Sequence, residues 1–156
     1  MMQNLRLIGK KNMVNRILID TNILLDYLLT REPFYEVAKE VVRTCTEGDT
    51  KGCIAAHSIT NMFFILRKDY DAEERREMLI NLCTIFDVEG IDKNKLLVGL
   101  QNADFADFED CLQTECAKAY GAEYIVTRNI ADYNASEITA ILPKDFLERN
   151  HRQEWI

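Results

Sequence analysis

The apolar positions of this chain alternate between two spacings. Ile17, Leu18 and Ile19 are consecutive, Asp20 ends the run, and Ile23, Leu24, Tyr27 and Leu28 then recur at helical spacing. A short continuous apolar run predicts a strand buried on both faces, as in a parallel sheet, and the period that follows predicts an amphipathic helix. After a break at Arg31-Glu32-Pro33, the positions Phe34, Val37, Ala38, Val41 and Val42 predict a second helix ending near Gly48. Gly52 to Ala56 reads as a second buried strand, and Ser58 as the N-cap of a helix carrying Ile59, Met62, Phe63, Ile65 and Leu66. Asp71 to Asn81 predicts a helix with a solvated charged face, Ile85 to Val88 a short third strand, and Asp92 the cap of a helix through Leu100. A polar and aromatic loop follows from Asn102 to Phe108. Asp107 then caps a helix that Gly121 terminates. Glu123 to Thr127 is the fourth strand, Arg128 to Ser136 a loop, Ile138 to Leu142 a fifth strand, and Pro143 to Leu147 a final turn or short helix. Strands alternating with helices predict an α/β fold: a single three-layer α/β/α domain with a central parallel sheet of four to five strands.

Composition sets outer bounds. At 156 residues, 47% of them hydrophobic and 29% charged, the chain suits one domain with a substantial core. Met13 stands just before the first strand and offers an alternative start. Residues 1–12 then form an N-terminal extension, 13–150 the domain and 151–156 a C-terminal tail. No run approaches the roughly 20 apolar residues of a membrane span, and the N-terminus lacks a signal-peptide core, so the expected location is cytoplasmic, with no membrane partner. Cys45, Cys53, Cys83, Cys111 and Cys116 are odd in number, and no pair has C-x-x-C spacing. They read as free thiols in a reducing compartment, not as a disulfide framework or zinc site. A formal net charge of −7 argues against a generic nucleic-acid coat. Any nucleic acid must be held locally or through metal ions, unless the acidity serves a basic protein partner.

Charge also nominates a site. Asp20 lies at the carboxyl end of a buried strand, where open α/β sheets bind ligands. Asp107, Glu109 and Asp110 open the helix before the fourth strand, and Asn129 and Asp132 follow that strand. If strands one and four are neighbours, these groups converge at one sheet edge. Clustered carboxylates repel unless a cation sits among them, and oxygen ligands select hard cations such as Mg²⁺ or Mn²⁺, which serve phosphoryl chemistry. Each residue alone has a local account: Asp20 as an N-cap, Asp107 with Asp110 as a capping box, Asp132 in turn chemistry. Their conjunction favours a site. Arg128 beside it could hold a substrate phosphate, against the commoner solvated arginine. For His57 a satisfied structural role is the stronger reading, and for Phe105 and Phe108 it is packing at the helix start. Leu24, Leu25, Tyr27, Leu28, Leu29, Phe34 and Tyr35 exceed one core-facing stripe, so part of this surface is expected to be covered by a second copy or another protein.

The elements ILIDTNILLDYL, SITNMFFILRK, DFEDCLQ and YIVTRNIADY resemble, in order and spacing, the PIN-domain family: small α/β nucleases, many of them toxins of bacterial toxin–antitoxin pairs. The resemblance runs from about Arg16 to about Leu147. DFED followed by TRN-x-x-DY is its more specific part. It implies a Mg²⁺- or Mn²⁺-dependent endoribonuclease acting on single-stranded RNA, restrained by an antitoxin and acting as a homodimer. Asp20, Asp110 and Asp132 match the family's metal-binding aspartates, and Asn129 falls in the fourth motif. One departure stands out. Where the second motif usually places a glutamate, this chain has Asn61, a neutral and weaker ligand. Glu109 is expected to point elsewhere, being next to Asp110 on a helix. The departure keeps an alternative in play, a degenerate domain that binds protein or RNA with little catalysis. An unrelated nucleotide binder fares worse, because no G-x-G-x-x-G or P-loop follows any predicted strand.

Overall fold

The computed structural model describes residues 15–154. The reading of residues 1–12 as an extension, and of Met13 as a start, lies outside them. Five strands, β1 (Asn15–Ile19), β2 (Thr50–Ala55), β3 (Asp87–Glu89), β4 (Tyr124–Val126) and β5 (Thr139–Ile141), form one sheet in the order β3-β2-β1-β4-β5. Every neighbouring pair is parallel. Among the described residues seven helices connect and cover them: α1 (Thr21–Leu28), α2 (Tyr35–Glu47), α3 (Ala56–Ile65), α4 (Ala72–Ile85), α5 (Lys93–Gln101), α6 (Phe108–Tyr120) and α7 (Pro143–Glu154). Short 3-10 turns occupy Leu66–Lys68 and Ile130–Tyr133.

β1 is central because its residues are apolar on both sides. Ile17, Leu18 and Ile19 have no exposed surface. Alternation sends Ile17 and Ile19 to one face and Leu18 to the other. The first face also holds Ile54 and Val126, and buries Leu24, Val41, Met62, Leu82 and Phe146 from five different helices. The second holds Cys53 and Ile125 against Cys116, Ala117 and Tyr120 of α6. The two cores account for the three layers.

Local signals set most boundaries. Asp71 and Glu74 form a reciprocal capping box on α4, Asp92 accepts from the Lys95 amide at 2.9 Å, and Gly121 ends α6 in the left-handed region at φ 75. Other boundaries differ from the sequence reading. Ser58 does not cap: α3 begins three residues earlier than a Ser58 cap implies, behind Ala55, and the Ser58 hydroxyl accepts instead from Thr21 and Gln113. Ile85 closes α4 instead of opening β3, and the final helix runs on to Glu154. Most of the apolar surplus of the first helices is packed internally. Leu24 and Leu25 are buried, Tyr27, Leu28 and Leu29 pack on the core, and the Tyr27 and Tyr35 rings stack at 6.4 Å, while Phe34 stays exposed. The most exposed apolar side chains lie elsewhere, with Phe64, Ile80 and Leu100 more than three-fifths exposed.

Among the described residues the cysteines are free, and burial pushes the Cys45 and Cys116 thiols up to about 12, so they are inert as nucleophiles. None of the described helices is long and apolar enough to cross a membrane.

The left-handed backbone at Gly121 supplies a test of α6 termination. Gly121→Ala is expected to cost about 1–2 kcal/mol, the penalty of a Cβ in that region. Gly90→Ala, where a Cβ meets nothing within 4 Å, is expected to be near neutral. Paired urea denaturation midpoints measure the difference.

Candidate functional site

Asp20 continues β1 for one hydrogen bond, its amide donating to the Val126 carbonyl at 3.0 Å, and the chain then turns into α1. The carboxylate is 8% exposed, and the donors around it come from three segments. The Thr21 amide donates to Oδ1 at 2.7 Å, and the hydroxyls of Thr127 and Tyr133 donate to Oδ2 at 2.8 and 3.0 Å. Asn22 and Gln113 amides stand at 3.5 Å. Burial raises its pKa; the bonds from Thr127, Tyr133 and Thr21 oppose that, and the charge of Asp132 adds to it. Asp20 thus performs the cap expected of it while presenting its carboxylate at the carboxyl edge of the sheet.

That edge opens into a cavity of about 420 Å³. Asp20 lines it from the end of β1, Asn61 from α3, Glu109 and Asp110 from the first turn of α6, and Asn129 and Asp132 from the loop after β4. β1 and β4 are neighbours, with Ile19 opposite Val126, so residues over a hundred positions apart face one space. The Asp110 carboxyl is pushed up to about 7, first by burial, then by the charges of Asp107, Asp20 and Asp132; the Tyr133 hydroxyl opposes the rise. The Tyr133 phenol, between the two carboxylates, is itself held well above its usual range by burial and by their charges.

The chemistry of these donors suits a hard cation. They are carboxylate and amide oxygens without sulfur or imidazole, and the mutual repulsion at Asp110 is what a cation relieves. Gln113, which also lines the cavity, has a buried Oε1 without a hydrogen-bond partner. Among the described residues, however, no group of three or more His, Cys, Asp or Glu side chains is gathered as a ready-made metal cage. The fit is one of donor chemistry.

Other candidates fall elsewhere. Asp107 caps α6, accepting from the Glu109 amide at 2.7 Å, and acts on the site only through its charge on Asp110. Arg128 does not line the cavity, and its side chain is only partly exposed. It forks onto the fully buried Asp26 at 2.7 and 3.2 Å and lies 4.0 Å over the Phe34 ring. His57 is not satisfied: its Nδ1 is buried without a partner, and burial lowers its pKa. Phe105 packs on the second core, and the Phe108 ring closes against Gly99. Glu109 corrects the sequence reading. Its Oε1 accepts from the Asn61 amide at 3.2 Å, and both side chains line the cavity. The helix start lets Glu109 lean across to α3, which the spacing argument for a helix interior did not allow.

The supporting residues Thr127, Tyr133, Gln113 and Ser58 went unread as such. Thr127 and Tyr133 lie inside the quoted motif TRN-x-x-DY. Gln113 could have been found as a lone amide on an otherwise apolar helix face; it donates to Ser58 at 2.9 Å and Thr21 at 3.3 Å.

A family model described as a PIN domain matches residues 16–131. No curated protein matches the chain. Among solved structures, a toxin–antitoxin complex from Klebsiella pneumoniae is similar at 20% identity and TM-score 0.61, over 81% of this chain and 97% of that one. Mycobacterium tuberculosis VapC20, titled a Sarcin-Ricin loop cleaving toxin, is similar at 14% identity and TM-score 0.63, over 81% and 99%. FitAcB from Neisseria gonorrhoeae is similar at 15% identity and TM-score 0.62, over 82% and 98%. At these identities the likeness is one of fold.

The raised carboxyls predict a pH dependence. Asp110 and Asp20 hold their protons more tightly folded than unfolded, where a carboxyl titrates near 4. The contribution of Asp110 to stability therefore falls as pH rises from about 4 through about 7 and stays lost above, and that of Asp20 falls in the same direction. In chelator-treated protein, Asp110→Asn is expected to raise the melting temperature at pH 8 and to leave it nearly unchanged at pH 5. Melts of both proteins at the two pH values check this.

Proposed function

The chain belongs to the PIN-domain family, and on that premise we propose that it is a metal-dependent endoribonuclease cutting single-stranded RNA, the toxin of a toxin–antitoxin pair. The observation that carries the reading is the convergence of Asp20, Asp110 and Asp132, from three separate segments, on one acidic cavity at the carboxyl edge of the sheet. These three would hold Mg²⁺ or Mn²⁺, with Asn129 and Asn61 as neutral oxygens nearby. Once bound, the ion supplies an activated water and offsets charge developing on the phosphate. Thr127 and Tyr133 fix the orientation of the Asp20 carboxylate. Tyr133 also restrains Asp110 through the same hydroxyl.

Glu109 restores the negative charge that Asn61 lacks. Asn61 holds it by the amide, so the carboxylate reaches the cavity from the opposite wall. A similar fold titled as a toxin–antitoxin complex, and one titled as a Sarcin-Ricin loop cleaving toxin, support an antitoxin partner and a nucleic-acid substrate. A homodimer stays part of the proposal, with Phe34 as the exposed member of the apolar group between α1 and α2. A cytoplasmic location is part of the proposal.

Cleavage of a mixed single-stranded RNA pool across Mg²⁺ and Mn²⁺ titrations tests the reading. Wild type should cut, and Asp110→Asn should not. Tyr133→Phe, which removes an orienting bond and no ligand, is expected to lose about 10–100-fold in metal affinity or activity. Glu109→Gln should raise the metal concentration for half-maximal cutting by about 10-fold, as expected for a charge-assisted contact made neutral. A wild type that binds the RNA but is inert at every metal concentration would instead establish the binding-module alternative that Asn61 keeps open.

A further inference from the structure

A cavity walled by carboxylates repels the polyanion it is proposed to cut. Asp20, Glu109, Asp110 and Asp132 all face it, in a chain of net charge −7. A bound cation would offset this at the reacting phosphate, but the phosphates on either side each carry their own charge and lie beyond contact with one ion. A protein cation at the rim is needed there, and Arg128, the sequence's candidate, is committed elsewhere.

Among the described residues, Arg31 is the cationic side chain that lines the cavity. It sits just past α1, behind the left-handed Thr30 at φ 50. Its amide is pinned to the Asp26 carbonyl at 3.0 Å, and its carbonyl accepts from Phe34 at 2.9 Å. The backbone anchor is therefore fixed, while the side chain is 40% exposed.

Asp26 decides how its two arginines are used. Its Oδ2 takes Arg128 Nε at 2.7 Å and its Oδ1 takes Arg128 Nη2 at 3.2 Å, a bidentate pair. Arg31 Nη1 approaches Oδ1 only to 3.8 Å, within ion-pair range but beyond a hydrogen bond. Arg128 spends its fork on Asp26 and its face on Phe34. Arg31 is oriented by the same carboxylate, yet keeps its N–H donors unspent. An oriented guanidinium with free donors, on the wall of an anionic cleft, is suited to a phosphate's paired oxygens.

We infer that Arg31 is a phosphate-positioning residue: it clamps the backbone phosphate next to the scissile one and seats single-stranded RNA across the acidic cavity. This rests on the nuclease reading above and adds to it the group that admits the substrate. A clamp on a flanking phosphate acts before and during reaction alike. It should be felt in KM and binding more than in kcat.

The test uses the full chain and a fluorescein-labelled 12-nucleotide single-stranded RNA. Binding is followed by anisotropy with Ca²⁺ in place of Mg²⁺, and a gel checks that the strand stays intact. Arg31→Gln is expected to weaken binding about 10-fold and to reduce the slope of log affinity against log salt by about 0.7, one single-strand phosphate contact. In Mg²⁺, its KM should rise by a similar factor with kcat within about threefold of wild type. Arg31→Lys should recover the salt slope but only part of the affinity, because a point charge cannot reproduce the fork. Arg43→Ala, on the exposed face of α2, is the control and should change nothing. If wild type binds and cuts RNA while Arg31→Gln matches it in affinity and salt slope, the clamp is wrong and the nuclease reading stands. If wild type neither binds nor cuts, both fall together.

Discussion

A carboxylate buried at the centre of a parallel sheet edge governs this structure. Asp20 has 8% exposure, and a charged group that deep is costly unless donors or counter-charges surround it. The donors are the first amide of α1, the hydroxyl of the residue after β4, and a tyrosine in the 3-10 turn beyond. None can be moved without moving an element. Thr127 reaches Asp20 because β4 lies beside β1 in the register Ile19 to Val126, and the Thr127 amide also bonds Ile141 of β5. The order of three strands is thereby tied to the satisfaction of one side chain. The apolar run before Asp20 gives the strand its place, and the polar residues after it give the edge its shape.

The same logic shows which parts of the fold were legible in the sequence. Ile17 to Ile19, the helical period after Asp20, the Asp92 cap and the Gly121 terminator are local signals, each read within a few residues, and they hold. The convergence of Asp20, Asp110 and Asp132 was conditional on β1 and β4 being neighbours, which sheet order decides and periodicity does not. What stayed hidden was the partner choice of polar side chains. Ser58 looks like a cap and is a tertiary hydrogen-bond partner; Arg128 looks like a surface arginine and is half of a buried pair. Glu109 looks turned away and leans into the cavity. In each case the deciding group is dozens of residues distant, so no local spacing rule contains it.

Charge is sorted in space as well as balanced. Asp26, fully buried, neutralises Arg128 behind the cavity, and a pair of that kind is costly to break from either side. It keeps one cation and one anion out of the cavity while holding a second guanidinium at its rim. The surface pairs of α2, by contrast, involve Arg43 at 60% side-chain exposure and add little to stability.

The carboxylates of the cavity divide the same way. Asp20 accepts three hydrogen bonds that oppose, without cancelling, the rise that burial imposes on its pKa. At Asp110 burial first, and then the charges of its neighbours, push the carboxyl up to about 7. An ion that draws in these oxygens gains most from the groups the protein leaves least satisfied, because its binding removes repulsion as well as making contacts. Satisfying Asp110 with further donors would steady the metal-free chain and weaken that gain. A cation bound there would offset the repulsion between Asp110 and its acidic neighbours, while the hydrogen bonds to Asp20 hold that carboxylate in place at the sheet edge.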